Sequence, residues 1–433
     1  MSGAPVGRPA SDGRPAPGGA APAGRRVVMV TVHTSPIAGP GSADAGGMNV
    51  MVSSIAAALA DRGWQVDLVT RRTAPDQPDR RDVHPGVTLH HLPVGPPVTV
   101  PKPQAERLIA PFADAFDTWC EEHGGGVDII HSHYWFSAAA VLDIARRRGI
   151  PHAVSYHSVA AAVGEDGLDA GEPPESDGRR AGEQRAAAES DLVIAVSDTE
   201  KQMIIQRCGA DPDAIDVVRP GVDLDLFHPR KAVPSGPTGA APTAAAQGEG
   251  PHRLACVARL EPLKGIDQAI RILAALRDED VTLTIAGAAA EDYRDYERRL
   301  HALTAELGVS DRVRFVGAVD REDLAALLAG SDLLINPSYS ETYGIINIEA
   351  AASGTPVIAH RSSGMRESVI DHVTGILMDT RDPSAWADGI RTLITSPAAL
   401  ESLSRSAAER AQRRTWACAA EQLEDSYESS ALR

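Results

Sequence analysis

The chain is predicted to be an α/β protein of two domains, each a parallel, doubly wound sheet covered by helices, with a cleft between them. Three observations predict this. The 433 residues exceed what one hydrophobic core ordinarily fills. From Val27 onward, short β-branched runs alternate with helical stretches, the rhythm of repeated strand-helix-strand units. That rhythm stops over 230–251, where Pro, Gly, Ala and Thr leave no apolar period, and then starts again.

The expected strands of the first domain are Val27 to Val32, Val66 to Thr70, Asp128 to His131, Ala153 to Tyr156, Leu192 to Ser197 and Ile215 to Val218. Those of the second are Leu254 to Ala258, Val281 to Ala286, Val313 to Val316, Leu333 to Asn336, Pro356 to Ala359 and Ile376 to Met378. The division that follows is a disordered Ala/Pro/Gly-rich tail over 1–24, an N-terminal domain over 25–219, a crossing and linker over 220–252, and a C-terminal domain over 253–405. A last helical stretch, 406–433, is expected to cross back to the first domain. In such sheets ligands bind beyond the carboxyl ends of the strands, so two facing domains would present two substrates to one cleft.

Composition narrows the partners. With 42 Lys and Arg against 59 Asp and Glu, the formal charge of −17 argues against nucleic acid or an anionic membrane surface as the main partner, since both require concentrated cations. An anionic small molecule would have to be met by a few local cations. Cys120, Cys208, Cys256 and Cys418 are far apart and form no CxxC pair, which suggests neither a zinc site nor a disulfide framework. No apolar run approaches the roughly 18 to 20 residues that span a bilayer, and the tail lacks the apolar segment of a signal peptide, so a cytoplasmic location is expected.

Four segments could carry chemistry. The first strand runs into His33-Thr34-Ser35-Pro36, and a loop leads through Asp44 to Gly46-Gly47-Met48-Asn49; Met48, Met51, Val52, Ile55 and Leu59 then follow helical spacing. Gly46 and Gly47 thus sit at a helix N-terminus, where free amides and the dipole attract an anion, although paired glycines there also serve close packing alone. His131-Ser132-His133-Tyr134-Trp135 runs off a strand end, with His157 at the end of the next; such histidines are either catalytic or internally satisfied. Arg259-x4-Lys264-Gly265 projects two cations from a strand-to-helix loop. A diphosphate leaving group gains charge in the transition state, and one preorganised cation of this kind is worth about 3 to 4 kcal/mol there; an exposed basic loop is the alternative. Finally, Glu341-Thr342-Tyr343-Gly344 continues to Glu349, two carboxylates suited to sugar or ribose hydroxyls, the second inside the apolar stretch Ile345 to Ala352.

Taken together these motifs, with Ser353-Gly354-Thr355-Pro356-Val357 behind them, resemble the family 4 retaining glycosyltransferases of the GT-B fold, over nearly everything from 26 to 425. Within that family the resemblance runs to the mycothiol-pathway enzymes that join N-acetylglucosamine to inositol phosphate, through His33 to Pro36, Asp44 to Val50, His131 to Trp135, Arg179-Arg180 and Gly182-Glu183-Gln184. The resemblance implies catalytic roles for His133, Arg259, Lys264 and Glu341. It implies donor binding by Gly47, Arg259, Lys264, Glu341, Tyr343, Gly344 and Glu349, with the cations on the diphosphate and Glu349 on the ribose. It implies acceptor binding by His33, Asn49, Lys102, Tyr134, His157, Ser158 and Arg179.

No metal and no cofactor is implied beyond a UDP- or GDP-linked sugar as co-substrate, and both partners are small molecules; a homodimer is compatible with the sequence. Asp223-Leu224-Asp225 follows Pro220-Gly221-Val222 in the domain crossing and reads as a structural turn, since one short motif cannot supply an oxygen-ligand shell. The chain departs from the mycothiol-type pattern where Ser158-Val159-Ala160-Ala161-Ala162-Val163-Gly164 replaces a Lys-rich turn, and where Tyr343 replaces Phe. These departures weaken the expectation of a phosphorylated acceptor. They direct the reading to an actinobacterial-type natural-product enzyme, of the aminocyclitol or lincosamide S-glycosylating kind, with mycothiol-type transfer from UDP-N-acetylglucosamine and a nucleotide-sugar 2-epimerase as the alternatives.

Overall fold

The computed structural model describes residues 24–39, 46–160, 176–229, 250–362 and 364–431. Residues 1–23, the segment 40–45 with Asp44, most of the linker (230–249) and the segment 161–175 lie outside them.

The first sheet has eight strands: β1 (Arg26–Thr31), β2 (Gln65–Arg71), β3 (Arg80–His84), β4 (Val87–Leu92), β5 (Ile129–His133), β6 (His152–Ser155), β7 (Leu192–Ala195) and β8 (Ile215–Val217). Their order is β3-β4-β2-β1-β5-β6-β7-β8. The second sheet is made of β9 (His252–Val257), β10 (Val281–Ala286), β11 (Val313–Gly317), β12 (Leu333–Asn336), β13 (Val357–His360) and β14 (Gly375–Met378), in the order β11-β10-β9-β12-β13-β14. Every pairing in the second sheet is parallel. Central strands such as β1 and β12 are buried along nearly their whole length, as strands covered by helices on both faces must be.

One strand departs from the expectation of purely parallel sheets. The hairpin of β3 and β4 was not anticipated, and β3 runs antiparallel to β4 at the edge of the first sheet. Its sequence, Arg80-Arg81-Asp82-Val83-His84, is exposed over its first three residues, so it presents charge at an edge instead of an apolar run.

The site is positioned by where each sheet reverses its winding order. In the first sheet β1 lies between β2 and β5, and in the second β9 lies between β10 and β12. Such switch points open a crevice at the carboxyl ends of the strands. The loops that emerge there are His33 to Pro36 after β1, His133 to Tyr134 at the end of β5, Arg259 to Gly265 after β9, and Pro337 to Gly344 after β12.

The two sheets are joined by a pair of adjacent crossings. Val222 donates its amide to the Arg414 carbonyl at 2.7 Å and pairs in parallel with Thr415. The C-terminal helix Trp416–Ala431 then packs on the helix Gly47–Asp61, with Ala419, Ala420 and Leu423 buried in the core they share. Glu424 on that helix receives Arg62 and Arg25 and accepts from Trp64 Nε1 at 3.2 Å.

Candidate active site

In the C-terminal domain, two short loops approach closely. Gly265 has a φ of +64°, and a Cβ built there would lie 2.6 Å from the carbonyl oxygen of Pro337, so glycine is required both for backbone conformation and for space. The adjoining Lys264 places its Nζ 2.8 Å from Glu341 Oε1, with both side chains largely buried. Glu341 is held from behind by its own backbone, whose carbonyl accepts from the Gly364 amide at 2.9 Å. Arg259 pairs with Glu261 at 2.6 Å. Each cation is thus already neutralised by one carboxylate, an arrangement that a diphosphate can enter by exchanging partners.

The N-terminal domain meets this loop directly. A Cβ on Gly46 would lie 3.6 Å from Arg259 Nε, and one on Gly47 would lie 3.6 Å from Ile345 Cδ1. The predicted glycine pair therefore opens the helix Gly47–Asp61 against the predicted diphosphate loop. Asn49 fixes the geometry of that helix start: its Oδ1 accepts from the Gly46 amide at 3.0 Å, and its Nδ2 donates to Thr34 Oγ1 at 3.1 Å and to the Ser35 carbonyl at 2.7 Å. Both Asn49 donors are occupied, so in this structure the residue fastens the β1 loop rather than facing an acceptor.

Four of the residues predicted to bind the acceptor converge. The His33 ring lies 4.8 Å from that of Tyr134, and the Arg179 guanidinium sits 5.3 Å above the Tyr134 ring. Arg179 Nη2 donates to Ser158 Oγ at 3.0 Å, and its Nε pairs with Glu183 Oε1 at 2.8 Å. Glu183 was not among the predicted site residues; its spacing of four from Arg179 on one helix is the signal that points to it. The backbone at Lys102 opens a short helix, Lys102–Ala105, and its side chain lies outside the described residues.

Three histidines form the floor between the two groups. His133 Nδ1 hydrogen-bonds His157 Nε2 at 2.9 Å, and the His131 and His133 rings lie 4.2 Å apart. His131 is anchored at both nitrogens, to Tyr427 of the C-terminal helix at 2.7 Å and to Ser155 Oγ at 2.9 Å. Burial drives the basicity of His131 and His133 well below the ordinary imidazole value, reinforced by the neighbouring rings, and pushes His157 down to about 3. All three are therefore neutral near pH 7. His133 Nε2 is buried without a hydrogen-bond partner among the described residues. Tyr134 and His157 both hold positive φ, +71° and +60°, and each such non-glycine residue costs on the order of 1 to 3 kcal/mol, a strain that collects at functional sites.

Two predicted donor residues are placed differently from the rest. The Tyr343 ring is buried in the core shared with Ile348 and Ala411, near the helix Pro397–Ala411, instead of beside the Lys264–Glu341 pair. Glu349 is buried and its Oε1 lies 2.7 Å from Arg321, whose guanidinium rests on Phe227. Burial raises the Glu349 carboxyl above its usual range against the pull of Arg321. Gly344 has a φ of +85°, and a Cβ there would meet Asn347 Nδ2 at 2.7 Å, so it serves as the turn into the helix Ile345–Ala352. Arg381, also not predicted, donates to the Pro337 carbonyl at 2.9 Å and stacks on Tyr339, which stiffens the Glu341 loop. The Asp223-Leu224-Asp225 segment forms a turn in which Asp223 Oδ1 accepts from the amides of Asp225 and Leu226. Among the described residues no cluster of His, Cys, Asp and Glu suited to a metal forms, and no helix is long and apolar enough to cross a membrane.

Comparison with known proteins agrees with this architecture. The model of "Glycosyltransferase Family 4" matches residues 45–226 and that of "Glycosyl transferases group 1" matches 242–413. Fold and matches define a glycosyltransferase of the GT-B architecture. Among curated proteins, the chain is 35% identical over 410 residues to D-inositol 3-phosphate glycosyltransferase of Saccharomonospora viridis, covering 93% of this chain and 94% of that protein. It is 36% identical to the protein of the same name from Salinispora tropica, covering 94% and 86%. The chain belongs to glycosyltransferase family 4. Among solved structures, sucrose-phosphate synthase from Thermosynechococcus elongatus superposes with a TM-score of 0.82 at 28% identity, covering 94% of this chain and 98% of that one. Anabaena HepE in complex with UDP and glucose shares the fold, with a TM-score of 0.69 at 20% identity and coverage of 93% and 99%.

Two outcomes test the site. Lys264→Ala is expected to lower kcat/KM by about 100-fold or more with the fold intact by circular dichroism, the loss of one preorganised cation; kinetics within a few-fold of wild type would remove Lys264 from the role. His157 has a folded-state pKa below its unfolded one, so the unfolded chain binds its proton first and stability falls as pH drops below 6.5. His157→Asn should therefore flatten the stability curve between about pH 5 and 6 by roughly 1.4 kcal/mol per pH unit, the contribution of one proton. An unchanged slope in denaturant titrations would mean that His157 is not held neutral.

Proposed function

We propose that the chain transfers a sugar, with retention of anomeric configuration, from a nucleoside diphosphate donor to a small polar acceptor. The C-terminal sheet would hold the donor and the N-terminal sheet the acceptor. The observation that carries this reading is the juxtaposition of Arg259 with Gly46 across the cleft. A diphosphate seated there would meet two cations from one domain and the amide-rich start of a helix from the other. As the bond from the anomeric carbon to the phosphate oxygen breaks, Arg259 and Lys264 stabilise the charge that develops on the leaving group. The acceptor attacks from the same face and passes its proton to the departing phosphate oxygen. The unpartnered Nε2 of His133 would hydrogen-bond a hydroxyl of the bound ligands.

We assign the acceptor to the non-phosphorylated polar class, such as an aminocyclitol, cyclitol or thiol of a natural-product pathway. What supports this is that Arg179 is already paired with Glu183, and that Ser158-Val159-Ala160 brings no cation beside it. The names of the curated relatives support the inositol 3-phosphate acceptor of the second reading, in which N-acetylglucosamine would be transferred from its UDP donor. Calorimetric titration with UDP and GDP identifies the donor base, and turnover is then measured with inositol 3-phosphate against non-phosphorylated cyclitols and thiols. Turnover on a non-phosphorylated acceptor with none on inositol 3-phosphate is expected; efficient use of UDP-N-acetylglucosamine and inositol 3-phosphate would replace the first reading with the second. In either case Arg179→Ala should raise acceptor KM by about tenfold or more, the loss of a charged hydrogen bond, with donor KM changed much less. Equal effects on both would mean that the acceptor is bound elsewhere.

A further inference from the structure

Thr342 follows Glu341 in the donor loop, yet its polar atoms are engaged with the other domain. Its Oγ1 donates to the His157 carbonyl at 3.1 Å, and its own carbonyl accepts from Ser197 Oγ at 2.6 Å. His157 presents that carbonyl from a backbone of positive φ, and its ring holds His133. Ser197 is equally fixed, because the same hydroxyl caps the helix Asp198–Met203 by accepting from the Glu200 amide at 2.9 Å. Beside it a second contact joins the domains: Glu367 accepts from the amide of Thr199 at 2.9 Å and from its hydroxyl at 3.1 Å, and pairs with Arg219. The two domains are thus clamped at the end of β7, and Thr342 is the part of that clamp contiguous with Glu341.

We propose that Thr342 is a positioning residue that registers the donor loop against the histidine floor, so that closure of the cleft places Glu341 and Lys264 opposite His133. This inference rests on the glycosyl-transfer reading for its kinetic consequence, but not for the contact itself. The residue touches no reacting atom; it acts through His157 on one side and Glu341 on the other. Its chemistry makes a sharp comparison available, since valine keeps the shape and loses the hydroxyl while serine keeps the hydroxyl.

The test pairs kinetics with hydrogen exchange on the full chain. Thr342→Val is expected to reduce kcat about five- to tenfold, the factor one lost hydrogen bond produces, while calorimetric affinity for whichever of UDP and GDP the wild type binds more tightly stays within about threefold and Thr342→Ser stays within about twofold of wild type. Amide exchange in the peptides covering 155–160 and 195–203 should rise by a similar factor in Thr342→Val and not in Thr342→Ser. A smaller fall in kcat, or an equal fall in Thr342→Ser, overturns the proposal. If the wild-type protein turns over no nucleotide sugar, the proposed function fails, and the exchange comparison alone then decides the latch: unchanged exchange in Thr342→Val overturns it.

Discussion

The Lys264–Glu341 pair depends on one close approach, that of Gly265 to the carbonyl of Pro337. No side chain fits in that gap, and the left-handed backbone at Gly265 turns the chain from the Lys264 loop into the helix Ile266–Ala275. Because the two loops leave neighbouring strands, β9 and β12, at the switch point of the second sheet, their contact brings Lys264 to Glu341. Arg381 braces the same carbonyl from the far side. Preorganisation of this kind is what lets a cation act on developing charge without first paying to reorganise.

Across the cleft the logic is different. The facing wall is built mainly from rings: a histidine stack tied to Tyr427 and Ser155, and a tyrosine flanked by His33 and Arg179. Burial strips the histidines of charge, so this wall offers hydrogen bonds and shape more than field. The two sides of the cleft thus differ in character, with paired charges on one and mostly neutral rings on the other. The C-terminal helix contributes to both, because it closes the crossing between domains and supplies the hydroxyl that fixes His131.

Much of this was legible in the sequence, because the parallel strands are apolar runs between helices and the strand-end motifs fall where the crevice must open. Val281–Ala286 and Leu333–Asn336 have the expected bounds, and the Arg-x4-Lys loop follows β9 as its spacing requires. The β3–β4 hairpin escaped detection because Arg80, Arg81 and Asp82 carry no apolar alternation, and His90 and His91 interrupt that of β4. Tyr343 and Asn49 illustrate a different limit: a motif fixes position along the chain, but whether a side chain faces a ligand or the core is decided by packing. Thr342, Glu367 and Tyr427 were illegible for a further reason. Their partners lie 185, 169 or 168, and 296 residues away, so only the assembled domains reveal them.

The central claim is that the diphosphate lies between the Arg259–Lys264 loop and the helix start at Gly46. A crystal structure of the protein with UDP bound, or GDP if that binds more tightly, tests it most directly. The β-phosphate oxygens are expected within hydrogen-bonding distance of Arg259 and Lys264, with the start of the helix Gly47–Asp61 facing them across the cleft. A nucleotide whose phosphates point away from this loop, or bind outside the cleft, would contradict it.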